Sequence, residues 1–329
     1  MKRRDLITLA GAAAALPVSA RAQQSPAPRR LGVLMSIAET DIGGAQRIEA
    51  FQQAMQGLGW REGDTIHATV RWAGGQPDLI DQYARELVAQ APDVLVVSGT
   101  LAVQVVKQLT RTIPVVCALV TDPVGLGLVE SLAHPGGNIT GFSFIDLDLI
   151  RKWASLLKEA APQVSRAVLP YNPRINPQYT NFLRALAAAP QSVQVEVIPT
   201  TIDSVEALRA AVTEAAQPPG GSLIIGPEAY IFDHLAEVAA IAEANRLPGI
   251  SVYRKFPEVG GLMSYGPDIP DIFRRAAAYV DRILRGAKPS DLPVQQPNLF
   301  ELVVNQTTAL DFGIPVTSTL LARADALVN

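Results

Sequence analysis

Most of the chain alternates between short apolar runs and longer amphipathic segments. The run LGVLMS at residues 31–36 predicts a buried strand, and residues 45–60 place Ile48, Phe51 and Met55 on one face of a helix. Three more pairs of a strand and a helix follow, with strands at 65–73, 93–98 and 114–120 and helices at 77–91, 100–111 and 122–134. Short apolar strands between helices predict a parallel sheet covered on both faces.

The second half of the chain repeats this pattern. NITGFSF at residues 138–144 is interpreted as the first strand of a second unit, which continues to about residue 246. After GGLMSYGPD come a helix, the strand FELVVN at 300–305 and two short helices, which we expect to return to the units already built. The predicted fold class is therefore α/β, with two doubly wound parallel-sheet lobes joined by hinge crossings and separated by a cleft.

The first 22 residues have the three zones of a signal peptide. A basic tip at 2–4 precedes an apolar run at 6–18, and the small residues Ala20 and Ala22 follow. The run has 13 residues, too few for the roughly 20 that span a bilayer. We therefore expect cleavage after Ala22, by a twin-arginine-like or a general export route. Residues 23–30 are a flexible lead, and the predicted location is the periplasm.

Composition narrows the classes of function. Removing residues 1–22 leaves 24 basic and 30 acidic residues and a net charge of −6, which argues against nucleic acid as a partner. Hydrophobic residues make up 48% of the chain, enough for two cores. The single cysteine, Cys117, lies in the apolar run PVVCALV and is expected to be a buried, inert thiol.

The candidate motifs for catalysis and metal binding each lack a required residue or spacing. GLMSYG at 261–266 has one residue too many before its serine for a nucleophile elbow. GLGLVE at 125–130 has a glutamate where the third glycine of a dinucleotide loop belongs. The three histidines are far apart in sequence and lack ligand spacing: His67, His134 and His234. We therefore predict neither an enzyme nor a cofactor or metal site.

Polar and aromatic residues follow the predicted strands, where open parallel sheets bind ligands. The candidate ligand-binding residues are Ser36, Ser98, Gly99, Thr100, Thr121, Asp122, Tyr171, Asn172, Glu228 and Tyr253. In the SGT turn, a glycine allows close approach, and the free N–H groups of the next helix suit a carboxylate. An ordinary turn with Thr100 as the helix cap explains the same residues.

Asp122 and the tyrosines also have two interpretations. The Asp122 carboxylate is a candidate partner for a ligand ammonium group, or it is the cap of the helix that follows it. The tyrosines are candidates for stacking on a ligand, although a single aromatic residue more often belongs to a core.

Six stretches together resemble one known family. They are FQQAMQGLGWREGDTIHATVRWAGG, LVAQAPDVLVVSGT, TIPVVCALVTDPVGLGLVESLAHPGGNITGFS, LPGISVYRKFPEVGGLMSYGPD, RRAAAYVDRILRGAKPSDLPVQQP and FELVVNQTTALDFGI. In this order they are similar to the solute-binding proteins of ABC importers, in the branch related to tryptophan and aromatic amino acid binding components. The resemblance covers almost the whole chain after the signal peptide. One departure is Leu101 and Val103 after SGT, where that family often has SGTP followed by small residues.

The resemblance implies a periplasmic-binding-protein fold of the first type. Lobe I would comprise residues 31–140 and 266–292, and lobe II residues 141–265 and 293–329. A monomeric protein would close over a small carboxylate-bearing solute, an amino acid or a related organic acid, and deliver it to a membrane permease. The remaining alternatives are a solute-binding sensor for a membrane receptor and a two-lobe enzyme such as a racemase.

Residue roles follow as hypotheses from the strand ends. Ser98, Gly99 and Thr100 would hold the carboxylate, and Ser36 would add a hydrogen bond. Asp122 would hold an amine. Lobe II would close with three residues: Asn172, Glu228 and Tyr253.

Overall fold

A computed structural model describes residues 27–40, 42–145, 147–175, 179 and 195–329. The predicted signal peptide at 1–22 lies outside the described residues, as do most of the flexible lead and residues 180–194 of the predicted second unit. No helix within the described ranges is long and apolar enough to cross a membrane.

Lobe I is built on a five-stranded parallel sheet with the strand order β2-β1-β3-β4-β5. Its strands are β1 Arg29–Met35, β2 Ile66–Trp72, β3 Val94–Ser98, β4 Val115–Val120 and β5 Ile139–Ser143. Its helices are α1 Ile42–Gly57, α2 Pro77–Ala89 and α3 Thr100–Leu109. Strands β3, β4 and β5 are buried along their whole length, because helices cover both faces of the sheet.

Lobe II is built on a seven-stranded sheet with the order β12-β11-β10-β9-β8-β6-β7. The strands are β6 Arg166–Tyr171, β7 Glu196–Thr201, β8 Leu223–Ile225, β9 Gly249–Ser251, β10 Met263–Pro267, β11 Phe300–Asn305 and β12 Ala326–Val328. Only the pair β10–β11 is antiparallel among the described pairs of this sheet. The two parallel-sheet α/β lobes confirm the predicted fold class.

The remaining helices are α4 Leu147–Ala160, α5 Val205–Ala216, α6 Ala229–Asp233, α7 Leu235–Ala244, α8 Lys255–Glu258, α9 Ile269–Leu284, α10 Gln306–Asp311 and α11 Ser318–Arg323. Helix α9 follows β10 of the second sheet but packs on α1 and on β3, β4 and β5 of lobe I. On the opposite face of that sheet, α2 and α3 share a core with Leu34, Leu95 and Val97. Lobe I is therefore completed by a helix from late in the sequence.

The chain passes between the lobes after β5, after β10 and before β11. The first and last of these segments run side by side, since Ser143 donates its N–H to the Gln295 carbonyl at 2.9 Å. The Gln295 N–H in turn donates to the Gly141 carbonyl at 2.9 Å. These hydrogen bonds tie the first and last connecting segments together.

Two predicted elements differ from the structure. Strand β5, interpreted as the start of the second unit, pairs in parallel with β4 and so completes the first sheet beyond the expected boundary at residue 140. The predicted helix at 122–134 is a series of turns. A positive φ of 49° at Asp122 and glycines at 125 and 127 oppose a regular helix there. The short strand β12 near the end of the chain was not predicted from the sequence.

Candidate functional site

A cleft lies between the carboxyl ends of strands from the two sheets. Its empty volume is about 480 Å³, part of which is open to solvent. The lining residues are Ser36, Ile37, Arg47, Ile80, Gly99, Thr100, Leu101, Ala102, Leu119, Thr121, Phe144, Ile175, Pro227, Ala229 and Tyr253. Five of the candidate residues therefore meet here: Ser36, Gly99, Thr100, Thr121 and Tyr253.

The N-terminus of α3 forms the lobe I side of the cleft. Gly99 occupies the N-cap position with a φ of 96°, and no side chain at that position caps the helix. A Cβ atom on Gly99 would lie 2.7 Å from the Ser36 Oγ, so the turn needs glycine for space as well as for conformation. The first N–H groups of a helix have no intrahelical acceptor and carry a partial positive charge. This end of the cleft is suited to an anion.

The Thr100 hydroxyl is committed to the scaffold and does not act as the predicted helix cap. Its Oγ1 accepts a hydrogen bond from the backbone N–H of Thr121 at 3.1 Å, which joins the ends of β3 and β4. Ser98 lies directly before this turn with 0% exposure and does not line the cleft. Within the described part of the chain its Oγ has no hydrogen-bond partner.

Asp122 does not line the cleft. Its side chain is exposed, and its Oδ1 accepts the backbone N–H of Gly125 at 2.9 Å. The hypothesis that Asp122 faces a ligand ammonium group is therefore not supported by its position. The capping interpretation fits the geometry, although the capped segment is a turn instead of a helix.

Three further candidates lie behind the lobe II wall instead of lining it. Glu228 is 1% exposed, and its carboxylate accepts the backbone N–H groups of Asn172 at 3.2 Å and Tyr230 at 3.3 Å. The second of these bonds caps α6. The Asn172 Oδ1 accepts the N–H of Arg174 at 2.9 Å, and Tyr171 stacks on Tyr179 with ring centroids 5.6 Å apart. These contacts hold the loops that carry the wall.

Tyr253 is the aromatic residue of lobe II that reaches the cleft. Its ring packs edge-on against Phe232 at 4.5 Å between centroids and lies 6.3 Å from Phe144. Burial raises the pKa of the Tyr253 phenol, opposed by the positive charge of Arg47 and reinforced by the carboxylate of Glu228. The phenol is therefore neutral at physiological pH and is available as a hydrogen-bonding group.

Arg47 is a lining residue that the sequence analysis missed. It lies on α1, is 3% exposed, and places its guanidinium 4.5 Å from the centroid of the Phe232 ring in lobe II. A signal was present, since Arg47 precedes Phe51 by four residues and Met55 by eight, on the apolar face of the helix. A charge on a buried face is a marker of a polar site. The remaining missed residues are apolar and carry no such signal: Ile37, Ile80, Leu101, Ala102, Leu119, Phe144, Ile175, Pro227 and Ala229.

Cys117 has the properties of a core residue. It is buried on β4, and burial raises the pKa of its thiol to about 12. A thiol that stays protonated is a poor nucleophile. Among the described residues, no group of three or more histidine, cysteine, aspartate or glutamate side chains is placed to hold a metal ion.

Comparison with known proteins gives a match over most of the chain. A family model described as ABC transporter substrate binding protein matches residues 37–328. A curated relative, the tyrosine-binding protein of Clostridioides difficile (strain R20291), is 24% identical over 286 residues, which cover 86% of this chain and 81% of that protein.

Solved structures share the two-lobe architecture. A conserved domain protein from Vibrio cholerae O1 biovar El Tor has a TM-score of 0.82 and 27% identity, covering 91% of this chain and 99% of that chain. An ABC domain from Streptococcus pneumoniae, in complex with L-Trp, has a TM-score of 0.83 and 23% identity, covering 92% of this chain and 100% of that chain. Both lobes are therefore arranged as in these proteins.

Proposed function

Because this chain belongs to the family of ABC transporter substrate-binding proteins, we propose that it is the periplasmic component of an importer. It captures a small carboxylate-bearing solute between its lobes and delivers that solute to a membrane permease. The observation that carries this proposal is the uncapped N-terminus of α3, which opens into an interlobe cleft with mostly apolar walls. Binding and release require no chemical step.

The carboxylate binds at the N-terminus of α3. The N–H groups of Thr100, Leu101 and Ala102 belong to the first turn of the helix, and these three residues line the cleft. The hydroxyl groups of Ser36 and Tyr253 add hydrogen bonds from either lobe, and the positive charge of Arg47 favours an anion in the same space.

The rest of the solute is apolar, and we favour an aromatic amino acid. The lining supplies branched and aromatic side chains from both lobes: Ile37, Ile80, Leu101, Phe144 and Ile175. Such walls remove apolar surface from water when the solute is enclosed. The relatives support this choice, since one is named a tyrosine-binding protein and another was solved with L-Trp.

Closure completes the site. In an open form, a solute meets the N-terminus of α3 on lobe I. Rotation of the lobes about the connecting segments then brings Tyr253, Pro227 and Ala229 of lobe II over the solute. The closed arrangement of the two lobes is the form that a permease recognises.

The first experiment identifies the solute. The chain from residue 23 is purified, its bound solute is released by denaturation and identified by mass spectrometry, and thermal unfolding is measured with amino acids and organic acids. We expect one solute to be recovered unchanged and to raise the Tm, since a ligand at 100 times its Kd stabilises by about 2.7 kcal/mol. Chemical conversion of the solute would contradict binding without catalysis.

Matched ligands separate the two charged groups of an amino acid. L-tryptophanamide lacks the carboxylate, and indole-3-propionate lacks the ammonium group. If α3 holds a carboxylate, the amide loses at least about tenfold in affinity, the equivalent of one charge-assisted hydrogen bond. Equal affinity for L-tryptophan and its amide would remove α3 from the anion site.

Export and transport have their own tests. N-terminal sequencing of the protein from a periplasmic fraction should begin at Gln23. Uptake of the identified solute by cells should fall when the gene is deleted and should return with the full-length chain. Unchanged uptake would favour a sensory role over import.

A further inference from the structure

Helix α6 of lobe II is one place where lobe I contacts the opposite side of the cleft. The backbone N–H of Ala38, just after β1, donates to the Asp233 Oδ1 at the end of α6 at 3.3 Å. The Arg47 guanidinium lies 4.5 Å from the ring centroid of Phe232 on the same helix. Two separate segments of lobe I therefore contact neighbouring residues of this five-residue helix, Phe232 and Asp233.

A third contact is between backbones. Gly75, in the turn after β2, has a φ of 66°, and its N–H donates to the Ser36 carbonyl at 2.6 Å. A Cβ atom built on Gly75 would lie 2.9 Å from the Cα of Tyr230 and 3.1 Å from its N. Both are backbone atoms of α6, so no side-chain rotation relieves the overlap. A side chain here requires α6 to shift or the lobes to separate.

Helix α6 is also part of the wall of the cleft. Pro227 and Ala229, just before and at the start of the helix, are lining residues. Glu228 between them is buried and caps the helix through the N–H of Tyr230. Helix α6 and Pro227 just before it therefore contact both a solute in the cleft and the segments of lobe I that dock on the helix.

We propose that Gly75 is a positioning residue for lobe closure, and that α6 is the surface on which lobe I docks when the cleft closes. This inference rests on the proposed binding function and adds a residue that does not line the cleft. The bare backbone at position 75 allows lobe I to reach α6. Any side chain at this position holds the lobes apart and leaves a solute bound by lobe I alone.

The neighbouring glycine supplies a matched control. Gly74 also has a positive φ, 55°, but a Cβ atom there would meet nothing closer than the Gln76 Nε2 at 3.6 Å. Gly74→Ala and Gly75→Ala therefore carry the same kind of backbone strain in the same turn. Only Gly75→Ala adds the clash with α6. Equal melting temperatures for the two variants would show that a difference between them in closure does not come from a difference in folding.

Closure is measured by trapping. The Arg174 Nη2 of lobe II lies 3.4 Å from the Asp78 Oδ1 of lobe I, so Asp78→Cys with Arg174→Cys places two thiols across the cleft. A short bismaleimide links them only when the lobes are close, and the linked chain is detected by gel mobility. Cys117 is buried, so it does not compete for the reagent.

We expect Gly74→Ala to be linked as fast as the parent double-cysteine chain, and Gly75→Ala to be linked at least about tenfold more slowly, because its closed fraction is smaller. Linking of Gly75→Ala at the rate of Gly74→Ala would overturn the proposal. Failure of the parent to link would overturn it as well, because the lobes would then not meet at α6 in solution.

Affinity gives a second readout, with L-tyrosine and L-tryptophan as the probes in chains without added cysteines. Gly75→Ala should bind either probe at least about tenfold more weakly than Gly74→Ala, since the apparent affinity scales with the fraction of chains able to close. If the parent binds neither probe, the proposed aromatic solute is wrong, whereas the trapping rates still decide the role of Gly75.

Discussion

The two faces of the cleft are built in different ways. Lobe I presents small groups at strand ends, including Ser36, Gly99 and the uncapped start of α3. Lobe II presents Tyr253, supported by Phe232 and by a buried carboxylate, Glu228, whose oxygens accept backbone N–H groups of its own lobe. The difference suggests a division of roles. Lobe I offers free donors to a solute, and lobe II is fixed internally and serves as the cover.

The largest expected effect is the loss of stability when hydrogen bonds inside lobe II are removed. Glu228→Ala removes the acceptor of two N–H groups, those of Asn172 and Tyr230, in a site that is 1% exposed. Each buried donor left unpaired costs about 1–3 kcal/mol, so the free energy of unfolding should fall by about 2–6 kcal/mol in urea denaturation.

Ser204→Ala is the control for Glu228→Ala. Ser204 caps α5 of the same lobe by accepting the N–H of Ala207 at 3.1 Å, and its site is less buried. Loss of a cap alone costs about 1 kcal/mol. If the two variants lose the same stability, Glu228 is an ordinary cap and the contrast between the two faces is weaker than the structure indicates.

Arg47 lines the cleft from lobe I and contacts Phe232 of lobe II, so its replacement should weaken solute binding. Arg47→Ala removes the guanidinium over Phe232 and the buried cation of the cleft. A desolvated cation–π contact is worth up to about 2 kcal/mol, so affinity for the identified solute should fall by about tenfold in calorimetric titrations. Arg47→Lys keeps the charge without the planar group, so its affinity for the solute should lie between those of the parent chain and Arg47→Ala. Unchanged affinity in Arg47→Ala would show that lobe I and lobe II close without this contact.

Much of the lobe I face follows from the sequence, for a physical reason. The carboxyl ends of parallel strands share one edge of a sheet, so Ser36, Gly99, Thr100 and Thr121 had to come together once their strands were recognised. The family resemblance is confirmed by the match over residues 37–328. Local pattern was sufficient here because each residue is placed by its own strand.

The contacts between the lobes did not follow from the sequence. Arg47 and Gly75 acquire their roles from α6, which is more than 150 residues away in the chain. Their sequence neighbours give no information on the relative placement of the lobes. Asp122 illustrates the converse, because its Oδ1 accepts a local N–H from Gly125 and its exposed side chain does not line the cleft.

Asp122→Ala tests whether Asp122 has only a local structural role, and its expected effect on stability is small. Loss of the Oδ1 acceptor at an exposed turn should lower the free energy of unfolding by about 0.5–1 kcal/mol. Affinity for the solute should not change, because the residue does not line the cleft. A loss of affinity at intact stability would return Asp122 to the ligand site and contradict the capping interpretation.

Replacing Ser98, the lobe I residue directly before the turn into α3, gives the smallest expected effect. Its Oγ is fully buried without a hydrogen-bond partner among the described residues, so Ser98→Ala removes a desolvated polar atom and leaves no donor unpaired. We expect the free energy of unfolding to stay within about 0.5 kcal/mol or to rise. Thr100→Val, two residues later, removes the acceptor of the Thr121 N–H and should cost about 1–3 kcal/mol. If Ser98→Ala instead weakens solute binding at unchanged stability, the hydroxyl reaches the solute in the bound form, and the sequence-based assignment of Ser98 to the carboxylate site is correct after all.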